Sequence, residues 1–257
     1  MSAISFPIVI ALALLIAAAA LAFALAARQS RVRGTGDPVI RITMIIAIVW
    51  AMFATIGAVF NAVAILDPGS DTSITFPVET FWPELPEGVE LEGTGAALNT
   101  GGFTQVTGTV AGLDLPTRIC WAISQALWWL IPGVIAALIA LACRQLRAGS
   151  AFAPAVAKAT MATAVVVTVG GFAAQVLGDI AGSMAAAEVL QWHGATWGGN
   201  DALEALGIED PLSAWWPKPG MRIELPFWPI AAGLGFAALA AIFRYGAKLQ
   251  HDQEGLI

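Results

Sequence analysis

Asp179 is the residue with the greatest chemical potential in this sequence. A carboxylate inside an apolar run of helical length is costly, and is usually kept there for a proton, an ion or a partner. Gln175 and Ser183 stand four residues to either side, so the three share one helix face. Gln125 and Asn61, near the ends of two other apolar runs, are placed to hydrogen-bond across a bundle to Gln175 or Asp179. As a cluster the five would form a small polar pocket within a membrane; individually they are interhelical ties. Asp179 also has an interfacial reading. If lipid begins near Ala159, it lies about 30 Å along the helix, where water or a loop can satisfy it. Gly178 and Gly182 form a small-xxx-small pair beside this stripe, suited to close packing within the bundle or to a homodimer contact.

Other chemistries find less support. The glycines of Gly93-Thr94-Gly95 and Gly101-Gly102 lack the strand-loop-helix setting and spacing of a phosphate loop. His193 with Glu188 or Asp201 would suit a metal or a general base, but no motif sets a nucleophile beside it. The two cysteines, Cys120 and Cys143, sit near opposite ends of one expected helix, roughly 34 Å apart at 1.5 Å per residue, too far to pair. With only two histidines, His193 and His251, the sequence offers no metal-ligand cluster and no cofactor site. The basic loops hold few charges, enough for anionic lipid headgroups but short of a nucleic-acid surface.

The elements that must position these residues are membrane spans. The chain is 58% hydrophobic and 12% charged, against about a quarter charged in soluble domains. A first apolar run, Ala3 to Ala27, reads as a retained span or as a cleaved signal, its end imitating a cleavage site. The second, Ile40 to Leu66, stops at Asp67-Pro68-Gly69, where proline lacks an amide proton and glycine relaxes the backbone. From Asp67 to Pro116 the chain is acidic and rich in glycine and proline. Ser73 to Val78, Val89 to Glu92 and Phe103 to Val110 there carry strand-like residues. Spans three and four, Thr117 to Cys143 and Ala159 to Val189, form a hairpin around the basic elbow Arg144, Arg147 and Lys158. Pro132 is an expected kink in span three. A second acidic, tryptophan-bearing segment, Leu190 to Leu225, precedes span five, Pro226 to Phe243, and a short tail.

Arg28, Arg31, Arg33, Arg41, Arg144, Arg147, Lys158, Arg244 and Lys248 all fall on one side of this arrangement, leaving Arg118, Lys218 and Arg222 on the other. Five spans with the amino terminus outside and the carboxyl terminus in the cytoplasm satisfy the positive-inside rule at every connection. The organisation is then residues 1–66, spans one and two with a cytoplasmic loop; 67–116, an extracytoplasmic β-containing loop; 117–189, the hairpin of spans three and four; 190–225, a second outer loop; and 226–257, span five and the cytoplasmic tail.

The elbow Gly149-Ser150-Ala151-Phe152 and the closing Phe243-Arg244-Tyr245-Gly246-Ala247-Lys248-Leu249-Gln250 with Leu256-Ile257 resemble the bacterial integral-membrane family of unknown function catalogued as number 2975. The resemblance covers about Ile40 to Ile257. Ala151 and Gly255 differ from the proline and threonine common in that family, and the first span is an addition. The likeness implies four spans with an outer β-containing loop between the first two. It assigns no activity to any residue, and the small helix-turn-helix regulators often found beside family members imply a signalling or stress-response context.

These observations set the expectations. The fold is an all-α polytopic membrane protein of five transmembrane helices with a small extracytoplasmic β-containing cap, in a bacterial plasma membrane. The expected role is that of a non-enzymatic sensor, regulatory or accessory subunit, partnered by the bilayer and by another protein or a second copy of the chain. A small transporter or channel subunit built on the group around Asp179 is the alternative.

Overall fold

The computed structural model describes residues 37–83, 95, 100–150, 152–192 and 216–254. The expected first span, the expected strand Val89 to Glu92, and His193 and Asp201 lie outside the described residues. Four helices are described: α1 (Asp37–Leu66), α2 (Leu115–Arg147), α3 (Pro154–Leu190) and α4 (Trp228–Glu254). Two strands, β1 (Thr72–Phe81) and β2 (Phe103–Val110), lie between α1 and α2. All four helices are long and apolar enough to cross a membrane, with mean hydropathies of 2.3, 2.3, 1.7 and 1.5 in chain order. The chain is thus mostly helical, with a two-stranded sheet.

The helices exceed the expected spans at most ends, since hydropathy marks only their lipid-compatible part. The largest difference is at the carboxyl end. The chain expected to leave the helix after Phe243 stays helical to Glu254, because Ala247, Lys248, Leu249 and Gln250 are all good helix formers. The helix α2 continues through Pro132.

The residues group into two compact units. One is built within Met1–Val59, Leu127–Phe172 and Pro226–Ile257, the other within Phe60–Ala126 and Ala173–Leu225.

The first unit is held by glycines and small residues at its helix crossings. A Cβ on Gly57 would lie 2.8 Å from the ring of Trp129, and one on Gly133 would lie 2.9 Å from Ala54 Cβ. Phe53 meets the same Trp129 ring edge-on, at 5.6 Å between centroids. Gly171 abuts Pro229, and Gly233 abuts Thr168, whose hydroxyl donates to the carbonyl oxygens of Ala164 and Pro229. Large side chains face outward. Val49, Met52, Phe53 and Ile56 are each more than half exposed while Ala47 and Ala54 are buried, the inverse of a soluble core and suited to a hydrocarbon surround.

The elbow between α2 and α3 has a defined cap. Gly149 adopts φ +77°, its amide donates to Leu146 O, and the Ser150 amide donates to Gln145 O, which together make a Schellman turn. Phe152 then packs on Phe243 at 6.4 Å and fills the space over Gly246, where a Cβ would overlap its ring. The elbow and the closing helix, the two stretches that carry the family resemblance, meet here.

The second unit contains the sheet. β1 and β2 pair antiparallel with Thr72 opposite Val110 and Thr75 opposite Thr107, the latter two hydroxyls 2.8 Å apart. Alternation sends Ile74, Phe76 and Val78 inward onto Ala181, Ala185, Ala186 and Leu190 of α3. The opposite edge of β1 is joined by the second acidic segment: the Glu79 amide donates to Lys218 O, and the Gly220 amide donates to Pro77 O. Residues of both acidic segments therefore meet at one edge of the sheet.

Candidate functional site

The five residues of the expected polar group do not form one cluster. In α3, Gln175 donates from Nε2 to Asp179 Oδ1 at 2.9 Å, as their spacing of four allows. Asp179 Oδ2 accepts from the backbone amide of Glu224 at 2.7 Å. The Ser183 hydroxyl donates to Asp179 O and accepts from the Arg222 amide at 3.4 Å. The stripe is a clamp that holds residues 222–224 against α3. Gly178 and Gly182 serve the same unit: a Cβ on Gly178 would lie 2.8 Å from Ser124 Oγ, and one on Gly182 would lie 2.8 Å from Thr75 O. Ser124 itself donates to Ala174 O at 2.7 Å. This face of α3 is occupied by α2 and β1.

Asn61 and Gln125 do not tie to Gln175 or Asp179, as the sequence invited, because those two partner each other and the Glu224 amide. Instead both line a cavity of about 660 Å³ in the second unit. Its walls come from the end of α1, the turn and first residues of β1, and Trp121 and Gln125 of α2. Two of its lining residues each hold a side-chain oxygen that is buried without a hydrogen-bond partner among the described residues, Asn61 Oδ1 and Thr72 Oγ1. Thr72 is 3% exposed. A buried polar atom left unpaired costs about 1–3 kcal/mol, and the wall residues of this cavity carry that cost twice. Among the described residues, the only charged side chain lining the cavity is Asp71, which is exposed.

Sequence reasoning missed Thr72. The signal was present, since a strand whose inward positions run Thr72, Ile74, Phe76, Val78 begins its apolar face with a hydroxyl. It also missed the role of Arg118, one of the three basic residues that the expected arrangement leaves on the sparsely charged side. That side chain is 3% exposed and donates to three backbone oxygens, those of Leu113, Asp67 and Pro68. It thereby fastens the end of α1 to the start of α2, a cation placed at a helix carboxyl terminus. Beside it, Asp67 accepts from the Ser70 hydroxyl at 2.8 Å and the Gly69 amide at 3.1 Å. Chiefly through the Ser70 bond, then that of Gly69, its carboxyl is held below the ordinary value of 3.8.

Glu188, nominated above as a partner for His193, is engaged elsewhere. Its carboxylate accepts from the Asp114 amide at 2.9 Å and from the Thr117 hydroxyl, capping the start of α2. The Trp216 indole donates to Leu190 O at 3.0 Å, closing the end of α3. Cys120 and Cys143 are both free and half-buried. Among the described residues no group of three or more His, Cys, Asp or Glu is placed to hold a metal.

No family model, curated protein or solved structure matches this chain.

Proposed function

We propose that the chain is a membrane-embedded sensor or accessory subunit whose sheet-bearing unit recognises a small polar ligand. The observation that carries this reading is the 660 Å³ cavity, lined by Asn61, Asp71, Thr72, Trp121 and Gln125. Its volume falls within the roughly 300–1,000 Å³ of small-molecule sites. The non-catalytic part of the reading rests on what the carboxylates do. Asp179 and Glu188, the acids nominated for chemistry, each accept from a backbone amide and hold elements together.

The proposal includes the bacterial plasma membrane, with the cap outside and the carboxyl terminus in the cytoplasm. The basic residues Arg144 and Arg147 in the last turn of α2, and Arg244 and Lys248 in the carboxyl-terminal half of α4, support that orientation. The likeness to the family of membrane proteins described above, resting on the elbow and the closing helix, belongs to the same proposal.

The test is a transcript profile of host cells lacking the chain, complemented with wild type or with Asn61→Leu. The expected result is a defined set of transcripts that shifts on deletion, returns with wild type and does not return with the variant. Full restoration by Asn61→Leu, or no shifted set, overturns the sensor reading. Orientation is tested separately, by labelling a cysteine placed at Ser73 with an impermeant reagent on intact cells. Labelling from outside is expected.

A further inference from the structure

Residues 220–225 leave the sheet as an extended strap on α3. The Gly220 amide donates to Pro77 O, the Arg222 amide to Ser183 Oγ at 3.4 Å and the Glu224 amide to Asp179 Oδ2 at 2.7 Å. The two bonds to α3 lie two residues apart on the strap, about 6.6 Å at 3.3 Å per residue, and four apart on the helix, about 6.0 Å at 1.5 Å per residue. That match means the strap runs along the helix axis, toward the amino-terminal end of α3. Alternation along it puts Met221, Ile223 and Leu225 on one face, where they are 80%, 49% and 65% exposed. Between them, Arg222 pairs with Glu224.

The level of the strap on α3 says what covers that apolar face. From Ala159 to Ala174 the helix holds no charged side chain, and Lys158 precedes this run. Hydrocarbon that begins at Ala159 and is about 30 Å thick therefore ends close to Asp179, so the strap lies where acyl chains meet headgroups. Three residues after Leu225 the chain enters α4, itself long and apolar enough to span. Extended backbone at such a depth has amides that water no longer satisfies, and Asp179 and Ser183 supply acceptors to two of them. The pairing of Arg222 with Glu224 leaves neither charge uncompensated there. Resting on the membrane-embedded part of the reading above and not on its cavity, we propose that the strap is an interfacial lipid-binding element. Met221, Ile223 and Leu225 enter the leaflet on the sheet's side, among the upper acyl carbons of its phospholipids, and Asp179 is the positioning residue that sets their depth.

The test uses the full-length chain, with Cys120→Ser and Cys143→Ser, in nanodiscs of phosphatidylethanolamine and phosphatidylglycerol. A nitroxide is attached in turn at Met221→Cys, Ile223→Cys and Leu225→Cys. Its collisions with oxygen, which concentrates in lipid, are compared with those of a water-soluble nickel chelate. Leu234→Cys, at a position 66% exposed on α4, gives the lipid reference, and Thr104→Cys on the exposed β2 gives the aqueous one. The oxygen-to-chelate ratio at all three positions should shift from that of Thr104 toward that of Leu234, further at 225 than at 221. Ratios like that of Thr104 would put the strap in water, and exclusion of both reagents would put it under a protein partner or a second copy; either result overturns the lipid assignment. Asp179→Leu removes the acceptor of the Glu224 amide, whereas Asp179→Asn retains one. The label at 223 should become mobile and lose its oxygen preference in the first variant and change little in the second. An unchanged signal in Asp179→Leu overturns the positioning role. If the Leu234 reference itself favours the chelate, the membrane-embedded reading falls and the strap proposal with it, while the transcript test of the cavity stands apart from all these results.

Discussion

Gly182 offers the sharpest test of how the sheet is mounted on its helix. A Cβ there would stand 2.8 Å from Thr75 O, 3.5 Å from Pro77 Cδ and 3.6 Å from Phe76 Cα. The nearest atom is backbone, so no rotamer change relieves the clash. To reach the 3.4 Å of ordinary contact, β1 must retreat by about 0.6 Å from α3, which loosens Ile74 and Phe76 from Ala181 and Ala185. Overpacking of this kind costs about 1–3 kcal/mol. Alanine in a helix gains about 1 kcal/mol over glycine, so the net effect of Gly182→Ala is a loss of about 0–2 kcal/mol. Gly235 in α4 is the internal control, since nothing lies within 4 Å of its added Cβ and only the propensity gain applies. Gly182→Ala should therefore fall below Gly235→Ala by about 1–3 kcal/mol in reversible unfolding followed by tryptophan fluorescence. Gly182→Leu should widen the gap. Equal stability of the two alanine variants would refute the claim that the strand backbone lies against this glycine.

Three further outcomes are expected. Arg118→Met leaves the carbonyl oxygens of Asp67, Pro68 and Leu113 without their donor and should destabilise the second unit by about 1–3 kcal/mol. Arg118→Lys should recover only part of this, because an ammonium lacks the guanidinium fork; full recovery in thermal unfolding would count against the fastening role. Asp67, held below its ordinary value of 3.8 by Ser70 and then Gly69, stabilises its turn above that pH and loses the contribution as pH falls through the lower folded value. Hydrogen exchange of the Gly69 and Ser70 amides should accelerate across that window in wild type, with a flat profile in Asp67→Asn. Gly246→Ala should destabilise the first unit by overlap with Phe152, and Phe152→Ala in the same chain should relieve it, giving a coupling of about 0.5–3 kcal/mol in a double-mutant cycle.

The four helices were legible because a run such as Ile40 to Leu66 is long, apolar and punctuated by Asp67-Pro68-Gly69, all of which are local signals. β2 was legible from the alternation of Phe103 to Val110, and most of β1 from Ser73 to Val78. The edge pairing of Lys218 and Gly220 with Glu79 and Pro77 was not, because it joins segments some 140 residues apart and carries no compositional mark. The spacing of Gln175, Asp179 and Ser183 placed them on one helix face, yet which neighbour covers that face depends on tertiary packing. For that reason the stripe reads as a pocket in the sequence and is a clamp on residues 222–224 in the fold. Asn61 and Gln125 were legible as polar residues in apolar runs. Their real neighbour, Thr72, belongs to an element whose inward face is fixed only by register.

Arg118 has a second consequence, in the history of the chain rather than in its finished fold. In the proposed orientation the first turn of α2, before it folds, carries a bare cation toward the outer side, against the electrical bias that governs which loops cross during synthesis. Once the turn after α1 closes around it, that charge is sheathed by backbone oxygens and withdrawn from the surface. The residue therefore opposes translocation and then locks its product. A chain with a neutral residue there should deliver this loop across the membrane more readily and hold it less firmly, so that the fidelity of insertion and the strength of the fold are set against each other at one side chain.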